Sequence, residues 1–202
     1  MVLHALKAVA AIPAAEWIGF VTGLACVLLG IYENVWNWPL GIASNFALFL
    51  LFRRNGIYAA SWLQLAYIAI ALYGWWHWLR GNTGRGVKLP IRKAGAGDRA
   101  VLACTVALAT ITIHAVLYRY TTSTVPWWDS LPAALSLGAQ YLLSRKLLEV
   151  WPVWITADAL YISLCLSKGL YLTAALYVLF AGMCFAGYRR WRRQVRVLPA
   201  TV

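Results

Sequence analysis

The sequence predicts an all-α integral membrane protein of seven transmembrane helices, arranged as two parallel three-helix bundles joined by a linker helix. Three observations predict it: an apolar composition, seven long apolar runs, and a repeat that covers three runs at a time. Of the 202 residues 62% are hydrophobic and 12% charged, and the mean hydropathy is +0.67. Soluble domains hold roughly 45–50% apolar and about 25% charged residues. A bilayer solvates such surface, and a water-soluble core cannot hide it.

The runs follow in order, each near the roughly 17–25 apolar residues that a spanning helix needs. They are Trp17–Tyr32, Trp38–Phe52, Ile57–Leu79, Ala100–Tyr118, Ser130–Leu143, Pro152–Leu166 and Leu170–Tyr188. Polar or glycine-bearing breaks separate them: Glu33-Asn34, Arg53–Gly56, the basic loop Gly81–Arg99, Tyr120–Asp129, Arg145–Glu149 and Lys168-Gly169. Trp36, Trp38, Trp75, Trp76, Trp78, Trp127, Trp128 and Trp191 crowd the run ends, as interfacial belts do. Residues Met1–Ala15 hold only a short apolar stretch and read as an uncleaved lead-in rather than a signal peptide.

The net charge of +12 is explained by topology and lipid phosphates rather than by nucleic acid, because the cations sit in the breaks. With the N-terminus on one face, 13 of the 18 Lys and Arg residues fall on the other. Positive-inside bias makes that face cytoplasmic, with the N-terminus out and the C-terminus in. Cys26, Cys104, Cys165 and Cys184 lie inside apolar runs with no Cys-x-x-Cys or Cys/His cluster, so they read as packing residues. No metal and no cofactor is indicated.

The repeat has an offset of 113 residues. Trp38-Pro39 recurs as Trp151-Pro152, Gly56 and Tyr58 as Gly169 and Tyr171, and Gly74 and Trp78 as Gly187 and Trp191. The whole chain, residues 1–202, reads as one transmembrane domain. Repeat 1 covers about 13–80, the linker helix about 100–118 and repeat 2 about 126–193. Three crossings plus one return the chain to its starting face, so both repeats enter the membrane in the same direction. Transporters bind substrate between such halves, near the bilayer midplane.

Candidate substrate-binding residues come from polar and aromatic groups inside the runs. Trp151, Trp154 and Asp158 stand at i, i+3 and i+7, on one helix face. Asp158 is the only deep acid, and a charge at that depth faces a cavity or a partner. The 113-residue offset pairs it with Asn45, on a stripe with Trp38 and Gly41, and pairs Gln64 with Tyr177. Indole faces attract planar cationic rings, and a carboxylate beside them favours a cation. Interfacial anchoring explains Trp38 and Trp151 equally well, and hydrogen bonding between helices explains Asn45 and Gln64. A membrane enzyme is disfavoured because no deep His, Cys/His pair or carboxylate cluster occurs. A sensor or scaffold is disfavoured by the repeat and the deep acid. Lys168, in a tight loop, is poorly placed for the Schiff base of a retinal protein.

In Asn37-Trp38-Pro39-Leu40-Gly41-Ile42, Gly56-Ile57-Tyr58 to Gln64, Tyr73-Gly74-Trp75-Trp76-His77-Trp78, Trp128-Asp129-Ser130, Arg145-Lys146 to Trp151, Trp154 to Asp158, and Gly169-Leu170-Tyr171, the chain resembles the PnuC family of bacterial vitamin transporters. These stretches cover most of the chain outside residues 81–119 and the tails. The resemblance implies a fold akin to full-length SWEET sugar transporters, a homotrimer in the inner membrane, and facilitated diffusion of a vitamin that the cell traps by phosphorylation. It implies a substrate site at Gln64, Trp151, Trp154 and position 158. Nicotinamide riboside, the chief cargo of the family, is the first expectation. Its carriers tend to have Asn at the last of these positions, so Asp158 keeps thiamine or riboflavin as the alternative.

Overall fold

The computed structural model describes residues 14–54, 58–81, 89–120 and 126–197. The expectations for most of the lead-in, Pro13, Gly56 and the basic residues Arg85 and Lys88 lie outside the described residues. Among the described residues seven helices follow the predicted runs in order: α1 (Ala14–Ile31), α2 (Asn37–Arg54), α3 (Tyr58–Arg80), α4 (Ala96–Tyr120), α5 (Pro126–Ser144), α6 (Val150–Ser167) and α7 (Tyr171–Val197). The only strand-like pairing among the described residues is one bridge between Arg92 and Leu147.

Three boundaries move by four residues or more, each for a local reason. The helix α4 begins at Ala96 rather than Ala100, and Asp98 in its first turn complements the positive helix end. The helix α5 begins at Pro126 rather than Ser130. Proline suits the first helical position, and Asp129 in the first turn complements the positive helix end. The helix α7 runs nine residues past Tyr188, to Val197. Trp191 is wholly buried and ties this basic extension to the body of the protein. By length and composition α4 and α6 could each cross a membrane. The exterior is apolar: Leu108, Ile111, Trp62 and Val178 are all well exposed.

The helices pack in a regular scheme. The helix α2 lies against α1 and α3, and α6 lies against α5 and α7. The helix α1 also meets α7, while α3 meets α5. Exchanging α1, α2, α3 for α5, α6, α7 leaves this scheme unchanged. The helix α4 has no counterpart; it packs chiefly on α5.

The same exchange holds at atomic detail. Trp38 lies across Gly74 and meets the Trp78 ring edge-on, with centroids 5.3 Å apart. Trp151 lies across Gly187 and meets Trp191 edge-on at 5.2 Å. A Cβ on Gly187 would sit 2.7 Å from the Trp151 ring, so only glycine permits this approach. The Trp78 indole N–H donates to the carbonyl oxygens of Ser144 (3.2 Å) and Leu143 (3.3 Å), at the end of α5. The Trp191 N–H donates to Ile31, at the end of α1 (3.2 Å). Each indole thus caps the first helix of the opposite half, meeting carbonyls that have no partner within their own helix.

The buried core lies at the end of the molecule that carries the α1–α2 and α5–α6 loops. Trp38, Trp78, Leu147, Val150, Trp151 and Trp191 all belong to it. A further segment, 89–95, is clamped over this end. Its Arg92 exchanges backbone hydrogen bonds with Lys146 and Leu148, and the Ala94 N–H donates to the Glu149 carboxylate at 2.8 Å. Arg92 and Arg145 both reach Asp98, at 2.7 and 3.8 Å.

Candidate substrate site

A cavity of about 290 Å³ lies between the two halves, lined by α1, α2, α3, α5, α6 and α7. The α6 stripe faces it: Trp151, Trp154 and Asp158 are all in the wall. Helical spacing does this, because i, i+3 and i+7 share a face. Asp158 is 4% exposed. Its Oδ2 accepts a long hydrogen bond from the Cys184 thiol on α7, at 3.9 Å. Among the described residues no Lys, Arg or His lines the cavity, so this carboxylate faces it without a cation from them. Tyr177, stacked on Tyr161 with centroids 4.7 Å apart, also contributes to the wall.

The opposite wall is small and neutral. Gly23, Cys26, Val27 and Gly30 come from α1, and Gly41, Ser44 and Asn45 from α2. The 113-residue offset pairs Gly41 with Trp154, Asn45 with Asp158, and Val27 with Gln140. The carboxylate and both lining indoles therefore belong to the second half, and Tyr67 of α3 is the large side chain that the first half contributes. The space left by the glycines belongs to the first.

Five of the seven sequence-predicted residues, Asn45, Trp151, Trp154, Asp158 and Tyr177, line the cavity. Trp38 and Gln64 are not among the residues that line it. Trp38 is wholly buried against Gly74 and Trp78, where its ring fills the core at the α2–α3 crossing. Gln64 is buried one helical turn before Tyr67, and it is Tyr67 that reaches the wall from α3. Sequence reasoning missed Tyr67, Gln140, Ser44 and the thiols of Cys26 and Cys184. Tyr67 carried a usable signal, standing at i+3 from Gln64 on one face. Gln140 carried only its polarity near the end of an apolar run, since its repeat partner is Val27.

A family model described as nicotinamide mononucleotide transporter matches residues 13–193. The chain belongs to this family. As a member of the nicotinamide mononucleotide transporter family it is a transporter and not an enzyme. Among relatives, the riboflavin/roseoflavin transporter RibM of Streptomyces davaonensis is 26% identical, the match covering 87% of this chain and 83% of RibM. The nicotinamide riboside transporter PnuC of Escherichia coli is 25% identical over 90% of this chain and 86% of PnuC. A crystal structure of the vitamin B3 transporter PnuC shares the fold, with a TM-score of 0.66 at 20% identity, over 89% of this chain and 80% of that one. For this member of the nicotinamide mononucleotide transporter family, the cavity between the halves is thus the candidate place where cargo binds.

Proposed function

We propose that the chain carries a water-soluble vitamin, nicotinamide riboside, across the bacterial inner membrane by facilitated diffusion. One observation carries this reading: a deep carboxylate, Asp158, shares a cavity wall with Trp151 and Trp154 and meets no cation among the described residues. A planar cation completes such a site, stacking on indole and neutralising the carboxylate. Nicotinamide riboside carries its charge on a pyridinium ring, and a relative of this chain is a nicotinamide riboside transporter. Riboflavin or thiamine is the second reading. It is favoured by RibM, a riboflavin transporter, among the relatives.

The two halves are read as parallel three-helix bundles joined by α4. The exchange-invariant packing and the twin Trp–Gly joints support that arrangement. The cytoplasmic face is read as the one bearing the 89–95 segment, Arg145, Lys146 and the basic end of α7. Their mutual contacts support a common face, and the excess of cations supports its cytoplasmic side. The apolar exterior supports immersion in lipid, and the homotrimer remains the expectation from the family resemblance. Calorimetry on the purified chain with nicotinamide riboside, thiamine and riboflavin tests the cargo. Nicotinamide riboside is expected to bind tightest, and tightest binding of riboflavin would overturn the first reading.

A further inference from the structure

One ion pair in the molecule lies where the symmetry of the fold makes it special. The Lys146 ammonium is 2.9 Å from a Glu33 carboxylate oxygen, and the two residues are 113 apart, the offset of the repeat. They are therefore equivalents of one another. Equivalent points of two halves touch only on the axis that relates them, so this ion pair sits on it. Both residues also take the left-handed backbone conformation, with φ of 54° and 51°. No other described non-glycine residue does so. The flanking bonds match as well: Glu33 N–H to Gly30 O and Asn34 N–H to Leu29 O recur as Lys146 to Leu143 and Leu147 to Leu142.

The next layer inward is also a pair of equivalents. Gly30 and Leu143 are 113 apart, and a Cβ on Gly30 would sit 3.9 Å from a Leu143 methyl. Both line the cavity. Each lies three residues before its partner in the ion pair, at the last turn of its helix. The order along the axis is thus cavity, Gly30–Leu143 contact, Glu33–Lys146 pair, and then the basic face. The pair is deeply placed, with side-chain exposures of 11% for Glu33 and 4% for Lys146. The ammonium lies over the Trp78 ring at 4.6 Å.

We propose that Glu33 and Lys146 form a latch that closes the cavity toward the basic face, and that cargo passes there only when the pair separates. A buried ion pair suits a two-state closure. It needs close geometry to offset desolvation, and removing one partner leaves an uncompensated charge that disfavours the closed form. The inference rests on the cavity being the cargo site, but its test needs no cargo, because Cys26 and Cys184 line the cavity and report its access.

The experiment uses the full chain carrying Cys104→Ser and Cys165→Ala, in membrane vesicles of both orientations, with a membrane-impermeant maleimide. Glu33→Gln and Lys146→Met are each expected to raise the labelling rate of Cys26 and Cys184 about tenfold, from one face only, as a population shift of the latch requires. The exchanged pair, Glu33→Lys with Lys146→Glu, is expected to restore protection. Unchanged labelling in both single variants overturns the latch. So does an equal gain from the two faces, which marks general loosening, or an exchanged pair as open as the singles. Sided labelling that behaves as expected while nicotinamide riboside fails to bind would retain the latch and reject the cargo.

Discussion

At the scale of single residues, the α6 stripe was legible and its counterpart on α2 was only half so. Trp151, Trp154 and Asp158 share a face by spacing alone, and a deep acid in an apolar run has few roles. The repeat invited the view that both halves furnish the site alike. The protein instead puts Gly41 where the second half has Trp154, so α2 leaves space where α6 supplies an indole. Trp38 follows the repeat in packing on a glycine, yet it does not reach the wall. For Asp158 the consequence is measurable. Asp158→Asn keeps shape and a hydrogen-bond acceptor but removes the charge. A charge-assisted hydrogen bond is worth roughly 1.5–3 kcal/mol, and 1.4 kcal/mol is a factor of ten. Binding of nicotinamide riboside by Asp158→Asn should therefore weaken about tenfold in calorimetry. Trp154→Ala should cost at least as much, since a desolvated cation–π contact is worth about 2 kcal/mol. Unchanged binding by Asp158→Asn would make the carboxylate a structural partner of Cys184 instead.

At the scale of helices, the apolar runs located all seven elements, because length and hydropathy are strong signals. The ends were less legible. Pro126 and Trp191 lie in stretches whose polarity resembles a loop, and their helical state depends on the first-turn tolerance for proline and on burial of one indole. The Trp–Gly joints could be read as matching letters, Gly74 with Gly187 and Trp38 with Trp151, but not as contacts between those letters. Their energetics give a paired prediction on α7. Gly187→Ala forces a methyl into the Trp151 ring and should destabilise by about 1–3 kcal/mol. Gly182→Ala, on the same helix, meets nothing within 4 Å of its added Cβ. It should be neutral or gain up to about 1 kcal/mol from helix propensity. Thermal unfolding of both variants in detergent distinguishes them. Equal unfolding temperatures would mean that the Trp151–Gly187 approach is not a tight contact.

At the scale of the whole molecule, the repeat made the symmetry legible before any contact was known. The offset pairs Glu33 with Lys146, but what it could not disclose was that the two touch, because they differ in charge and nothing in the sequence places them on the axis. Topology carries one prediction. Reporter fusions after Arg92 and after Arg196 should both report the cytoplasm, given the one-sided excess of Lys and Arg; a periplasmic signal from either would refute the orientation. The driving force carries the last prediction. Proton-coupled carriers relay protons through a series of titratable groups across the membrane. Here the cavity offers one carboxylate, Asp158, whose recorded partner is a thiol, with no histidine in the wall. His77 stacks on Tyr73 and His114 on Trp127, both away from that wall. The ion pairs Glu33–Lys146, Arg92–Asp98, Arg145–Asp98 and Lys168–Asp129 lie at the helix ends and in the segments that join them. A chain of groups linking one face to the other through the cavity is therefore missing among the described residues. Uptake into liposomes should follow the cargo gradient alone and cease when that gradient is dissipated. An imposed proton gradient that drives accumulation above the external concentration would establish coupling, and Asp158 would then be its first suspect.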